Sequence, residues 1–171
     1  MNLIKMICDR DVLGTWGMSR KAPRITVRAV LKNKNNEYAV MYSDEFKLYS
    51  LPGGGVEKGE SLIDAIKREV WEETGCIINS IEELGYVEEN RAHCDYTQIN
   101  YYFVLKTNDE ILSPHLTNSE LKHGTTALWL SFFEMYKRIS SPLHDTNQKK
   151  FLQARDVVAL DEYIKQKNLN A

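Results

Sequence analysis

Between Leu51 and Cys76 the chain runs LPGGGVEKGESLIDAIKREVWEETGC, and no other stretch narrows the possible folds as much. Pro52 and Gly53-Gly54-Gly55 mark a tight turn whose bare backbone can approach a ligand closely. Ser61 is placed to cap a helix, with Asp64 three residues on as a weak capping box. Gly75 is placed to stop that helix. At about 100° per residue, Leu62, Ile63, Ile66 and Val70 line one apolar stripe. A solvated acidic face would lie opposite. Instead Glu73 falls near the meridian of Leu62 and Ile66, Glu69 lies beside it, and Glu72 and Glu73 sit one turn from Glu69. Like charges so placed repel, more strongly near a core than on an exposed helix, and a divalent cation removes that penalty. Hard cations such as Mg²⁺ take oxygen ligands and commonly hold substrate phosphates too. The segment predicts a carboxylate-bound metal beside a glycine loop.

Written out, Gly54, five residues, Glu60, seven residues, then Arg68-Glu69-Val70-Trp71-Glu72-Glu73-Thr74-Gly75-Cys76 resembles the Nudix box at every position, with Val70 and Cys76 as its apolar sites. Strand-like runs on either side and a late WLSFFEM segment extend the similarity over roughly Pro23–Arg138. The resemblance implies an α/β fold, the Nudix α/β/α sandwich with a mixed β-sheet. It also implies a Mg²⁺-dependent hydrolase, with Mn²⁺ as a substitute, that cleaves a pyrophosphate bond in a nucleoside diphosphate linked to a group X. In such a site Glu69, Glu72 and Glu73 hold the metal, helped by the Gly53 carbonyl. Arg68 and Glu60 orient the catalytic carboxylates through ion pairs. Glu57, three residues before Glu60, reads either as a ligand to a second metal or as an ordinary surface glutamate. A carboxylate takes the proton from attacking water. Glu72 is the candidate in the box helix and Glu120 the candidate in a later loop, with His123 behind it.

Substrate contacts are less constrained. The bare backbone of Gly54 and Gly55 offers close approach. Tyr42, Phe46, Tyr49 and Tyr86 could stack a base, although aromatics at such positions more often belong to a core. Arg28 points off its strand on the face opposite Ile25 and Val27, toward either a phosphate or an acidic neighbour. Sub-signatures of the family are mostly missing: Asn90 stands where ADP-ribose pyrophosphatases keep a proline, and Arg91-Ala92-His93 where dinucleoside-polyphosphate hydrolases keep a tyrosine.

The 171 residues suffice for a single domain over 1–171. A net charge of −2 demands neither a nucleic-acid backbone nor an anionic membrane as partner. Cys8, Cys76 and Cys94 form no metal pattern, and a reduced, cytoplasmic setting suits them best. The opening MNLIKMICDRD has too short an apolar run for a signal peptide.

Residues 1–21 read as a lead-in, Arg24–Leu31 and Glu37–Tyr42 as a hairpin, and Lys47–Leu51 as a short strand feeding the glycine loop. Cys76–Asn90 and Thr97–Lys106 read as long strands, Thr107–Thr125 as a polar loop, Ala127–Leu130 as a strand, Phe132–Ile139 as a short helix, and Asn147–Lys167 as the longest helix. Trp71 lies away from the apolar stripe and calls for a cover, expected from the lead-in or the last helix, with a second subunit of a homodimer as the alternative.

Three rivals share this sequence: a house-cleaning nucleoside triphosphate pyrophosphatase, a non-catalytic nucleotide-sensing module, and an RNA 5′-end pyrophosphohydrolase. A dead module tends to lose a box carboxylate, and all are present. An RNA enzyme calls for a basic track, and Arg20, Lys21, Arg24 and Arg28 make only a thin one. A nucleotide-type small molecule is therefore the expected partner.

Overall fold

The computed structural model describes residues 1–111 and 113–169, with side chains described outside 108–111 and 119–120. In chain order the elements are β1 (Leu3–Cys8), α1 (Asp9–Leu13), β2 (Arg24–Lys32), β3 (Tyr38–Ser43), β4 (Leu48–Ser50), α2 (Leu62–Thr74), β5 (Cys76–Arg91), β6 (Tyr96–Ile111), α3 (Asn118–Lys122), β7 (Thr125–Leu130), α4 (Phe132–Ser140) and α5 (Asn147–Lys167).

Both faces of β2 are covered, although its residues alternate, Ile25, Val27, Ala29 and Leu31 on one face and Thr26, Arg28 and Val30 on the other. Val27, Ala29 and Leu31 face one core with Ala65, Ile66 and Val70 of α2 and Phe103 and Leu105 of β6. Val30 faces the other, with Tyr102, Val104, Met135, Ile139, Phe151 and Leu160. The sheet is thus sandwiched between α2 on one side and α4 and α5 on the other, the α/β/α arrangement expected. Strands run in the order β1-β5-β6-β2-β3-β4, with β7 paired to β3. β5 and β6 are antiparallel, while β1 lies parallel to β5 and β2 parallel to β6.

Two departures from the sequence reading matter for the site. The β2–β3 hairpin is pinned at a single pair, Lys32 with Tyr38, and β3 then turns away to pair with β4 and β7. That leaves the edge of β2 for the glycine loop: Val27 N–H donates to Gly54 O at 3.0 Å, Ala29 N–H to Pro52 O at 2.9 Å, and Val56 N–H to Ile25 O at 3.1 Å. The lead-in is also not idle. Its first half is an edge strand and a short helix against β5 and α5. Edge exposure hid β1, since only Ile7 of its apolar residues is buried.

Among the described residues no helix is long and apolar enough to cross a membrane. Helix α5 closes the second layer through Phe151, whose fully buried ring lies under the Arg91 guanidinium at 5.0 Å. Phe151→Ala should cost about 3–5 kcal/mol, seen as a lower urea midpoint with unchanged slope. A loss under about 1 kcal/mol would mean that α5 is not docked through this ring.

Candidate active site

The glycine loop is held from both layers. From α2, the Glu73 carboxylate accepts the Gly53 N–H at 2.6 Å. From α5, Asp156 accepts the Leu51 N–H at 3.0 Å. Glycine is needed twice. Gly53 has φ +132°, and a Cβ there would lie 2.1 Å from the Val27 carbonyl oxygen. A Cβ on Gly54 would lie 2.4 Å from Glu69 Oε1. The loop therefore passes between a strand and a carboxylate with no room for a side chain.

Helix α2 starts at Ser61, whose side chain accepts the Asp64 N–H, and ends at Gly75. Its register places Glu73 only 7% exposed, on the apolar side as the sequence predicts. Arg68 gathers the other acids. Its Nε and Nη2 donate to the two oxygens of Glu60 at 2.9 and 3.0 Å. Its Nη1 donates to Glu69 at 2.8 Å and Glu72 at 3.2 Å, and Nη2 also reaches the Gly55 carbonyl at 2.9 Å. The hydrogen bond from Arg68, followed by the Glu57 N–H, holds the Glu60 carboxyl below its usual pKa. Glu69 goes the other way: burial raises it, only partly offset by Arg68 and Arg28. A half-buried carboxylate that burial disfavours is suited to a cation.

The donor set is all hard oxygen, which fits Mg²⁺ or Mn²⁺. Among the described residues no three acidic side chains converge tightly enough to form a metal cage by themselves. Glu69 and Glu72 are drawn onto Arg68, and the Gly53 carbonyl accepts a hydrogen bond from Arg28 Nη1. A carbonyl oxygen keeps a second lone pair for a further partner.

The predicted residues separate into groups. Gly53, Gly54, Gly55, Arg68, Glu69, Glu72 and Glu73 come together. Glu57 lies exposed at the outer end of the loop, its N–H bonded to Glu60. The Glu120 side chain falls outside the described residues. Arg28 reaches the loop, donating to the Gly53 and Leu51 carbonyls. Tyr49 is used elsewhere: its ring lies on Tyr42 at 4.6 Å and its hydroxyl accepts from Arg138 of α4 at 2.8 Å. His123 lies at the β3–β4 turn beside Phe46 and Glu45.

Trp71 corrects an expectation. It is 38% exposed, and its stacking partner among the described residues comes from neither the lead-in nor α5. One ring face stacks on His115 at 4.2 Å, and the His115 N–H donates to the Glu72 carbonyl oxygen at 2.7 Å. The cover comes from the segment after β6, whose sequence predicts a polar loop. Sequence reading also missed Arg91 and Arg155, which join Arg24 and Arg28 around one pocket. The only advance sign was Arg24 and Arg28 sharing a strand face.

The family model of the NUDIX domain matches residues 22–155. An RNA pyrophosphohydrolase of Bartonella clarridgeiae is 31% identical over 113 residues, 64% of this chain and 56% of that protein. An 8-oxo-dGTP diphosphatase of Buchnera aphidicola is 33% identical over 76 residues, 44% of this chain and 59% of that protein. The matched stretch thus spans little more than half the length of either relative. Among solved structures, a NUDIX hydrolase from Nitrosomonas europaea superposes with a TM-score of 0.64 at 23% identity, covering 85% of this chain and 91% of that one. A MutT NUDIX hydrolase from Burkholderia pseudomallei gives a TM-score of 0.53 at 16% identity, covering 79% and 98%. At these identities the structural likeness is one of fold. The family match, however, runs from the approach to β2 into α5 and takes in the whole loop and box helix, so the chain belongs to the NUDIX domain family.

Proposed function

We propose that this chain is a Mg²⁺-dependent hydrolase, with Mn²⁺ able to substitute, that cleaves the pyrophosphate bond of a nucleoside diphosphate linked to a group X. The observation that carries this reading is the carboxylate set beside the glycine loop. Glu73 is buried on the Gly53 N–H, and Glu69 and Glu72 share one guanidinium a helical turn away. Relatives named as a pyrophosphohydrolase and a diphosphatase support the type of bond, and their different substrates leave X open.

In this reading Glu69, Glu72 and Glu73, with the Gly53 carbonyl, hold the metal, and Glu57 at the rim is the ligand for a second one. The ion supplies charge neutralisation at the phosphoryl oxygens and makes water easier to deprotonate. Glu72 takes the proton from the attacking water, being the most accessible of the three box carboxylates, and Glu120 is the alternative base. Arg68 fixes the directions of Glu69 and Glu72, and Glu60 fixes Arg68 with a two-point fork. The bare backbone of Gly54 and Gly55 lets the diphosphate approach the helix start, and Arg28 offers the substrate a phosphate contact from the sheet.

Three outcomes test this. Release of phosphate from nucleotide diphosphates, coupled to a phosphatase, should require Mg²⁺ or Mn²⁺ and rise toward alkaline pH; undiminished turnover in excess chelator would end the reading. Glu72→Gln should lower kcat at least about a hundredfold, and a wild-type rate would remove Glu72 from the chemistry. The third concerns stability. A carboxyl whose pKa is raised on folding favours the folded state while protonated and loses that contribution as pH climbs through the raised value. Glu69 therefore weighs against the metal-free fold near neutrality. Relative to wild type, Glu69→Gln should gain stability as pH rises from below 4.5, and Mg²⁺ should reverse the trend. Thermal unfolding at stepped pH, with chelator and then with Mg²⁺, reads this directly; a difference that moves the opposite way would contradict it.

A further inference from the structure

A pocket of about 480 Å³ opens on the sheet face opposite α2, lined by Arg24 and Arg28 of β2, Arg91 of β5, His93, Gln98 of β6 and Arg155 of α5. Its volume suits a small-molecule moiety, but its walls do not suit a nucleobase. Of its two aromatic lining rings, Tyr96 is already faced by the Arg91 guanidinium at 5.1 Å with its hydroxyl bonded to Gln98, and the His93 imidazole is stacked on Phe151 at 5.8 Å and bonded to Asp9 at 2.9 Å.

The charges do not cancel. Arg91 is bonded through Nε to the buried Glu89 at 2.8 Å. Arg155 lies 3.2 Å from Asp156 and 3.7 Å from Glu89. Glu89 and Asp156 thus answer two arginines, and the buried Asp9 is taken by His93 at 2.9 Å. Arg24 and Arg28 have no ion pair among the described residues. The carboxylates whose charge acts on Arg28 are already engaged: Asp156 by Arg155, Glu73 by the Gly53 N–H and Glu69 by Arg68. Arg28 also shares this wall with the like-charged Arg155. Its Nε is buried without a hydrogen-bond partner among the described residues. Folded proteins leave few such donors unpaired, and a missing ligand is one of the recognised reasons. The pocket also reaches the reaction site. Arg28 bonds the Gly53 carbonyl, and Arg24 Nη2 would lie 2.8 Å from a Cβ on Gly55.

From these observations we infer that the pocket binds an anionic group of the substrate beyond the diphosphate, so that X or its nucleoside carries a phosphate monoester of its own. The inference rests on the hydrolase reading above and narrows its substrate class. The carboxylates of α2 and their metal answer the charge of the diphosphate on one side of the loop, and Arg24 and Arg28 answer the second anion on the other. A charge-assisted arginine–phosphate contact discriminates by roughly 10- to 100-fold.

The test uses three substrate pairs that differ by one phosphate: coenzyme A against dephospho-coenzyme A, ADP-ribose 2′-phosphate against ADP-ribose, and NADPH against NADH. In at least one pair the phosphorylated member should have a kcat/KM at least about tenfold higher. Arg24→Gln should collapse that ratio, while Arg24→Lys retains part of it. Arg24 is exposed, so loss of folding does not confuse the result. Equal kcat/KM values within every pair, or a ratio that survives Arg24→Gln, would overturn the inference. So would 5′-triphosphorylated RNA turned over well ahead of all six compounds. If none of the diphosphates reacts, calorimetry of inorganic phosphate with the metal-free protein decides. Binding that Arg24→Gln abolishes supports the pocket although the hydrolase reading has failed. No binding, or binding indifferent to Arg24, overturns the pocket as well.

Discussion

The short hydrogen bond from the Gly53 N–H to the buried Glu73 carboxylate joins the three parts on which the site depends. It ties the end of α2 to the glycine loop, and the loop is itself laid along β2 by backbone hydrogen bonds. A buried carboxylate is costly unless it is satisfied. Glu73 is therefore fixed wherever the Gly53 N–H is fixed, and its helical neighbours Glu69 and Glu72 are carried with it. Arg68 completes the arrangement from outside, its fork on Glu60 closing a ring between the two ends of the loop–helix segment. The positions of the acids follow from this ring and from the packing of Ile66 and Val70 on the sheet.

The two sides of the loop differ in electrostatic character. Toward α2 lie carboxylates with one arginine among them. Toward α5 lie arginines with two buried carboxylates among them. Strand β2 is the boundary, and its alternation sends Val27 and Ala29 to the first side and Arg24 and Arg28 to the second. A phosphorylated substrate needs both kinds of surface, because it must bring a cation to its own phosphates and find cations waiting for them.

The box helix was legible from one chain because its information is local. Capping residues, an apolar stripe and acids on the wrong meridian all fall within a few turns, and the same locality gave α5 its limits, Asn147–Lys167. The β5–β6 pair was legible for the same reason. What escaped was assembled across the sequence. β1 has a single strand neighbour and shows little burial pattern. The pocket takes its arginines from β2, β5 and α5, and only Arg24 and Arg28 of β2 stood out in the sequence. Tyr49 looked free beside the loop and is held by Arg138, which lies 89 residues further on. Trp71 looked as though it needed a large cover and took a single histidine ring.

The anchoring of Leu51 by Asp156 has a consequence for how the chain folds. That bond spans 105 residues and joins the entrance of the loop to the last helix. Contacts of such long sequence separation form late, since the closure entropy must be met before the contact can repay it. During synthesis the loop, β2 and α2 leave the ribosome well before α5 does, and until then the Leu51 N–H lacks its buried partner. The glycine loop therefore takes its working shape only at the end of folding. A nascent or misfolded chain carries the entire box sequence but cannot present the ordered loop until the last layer has docked.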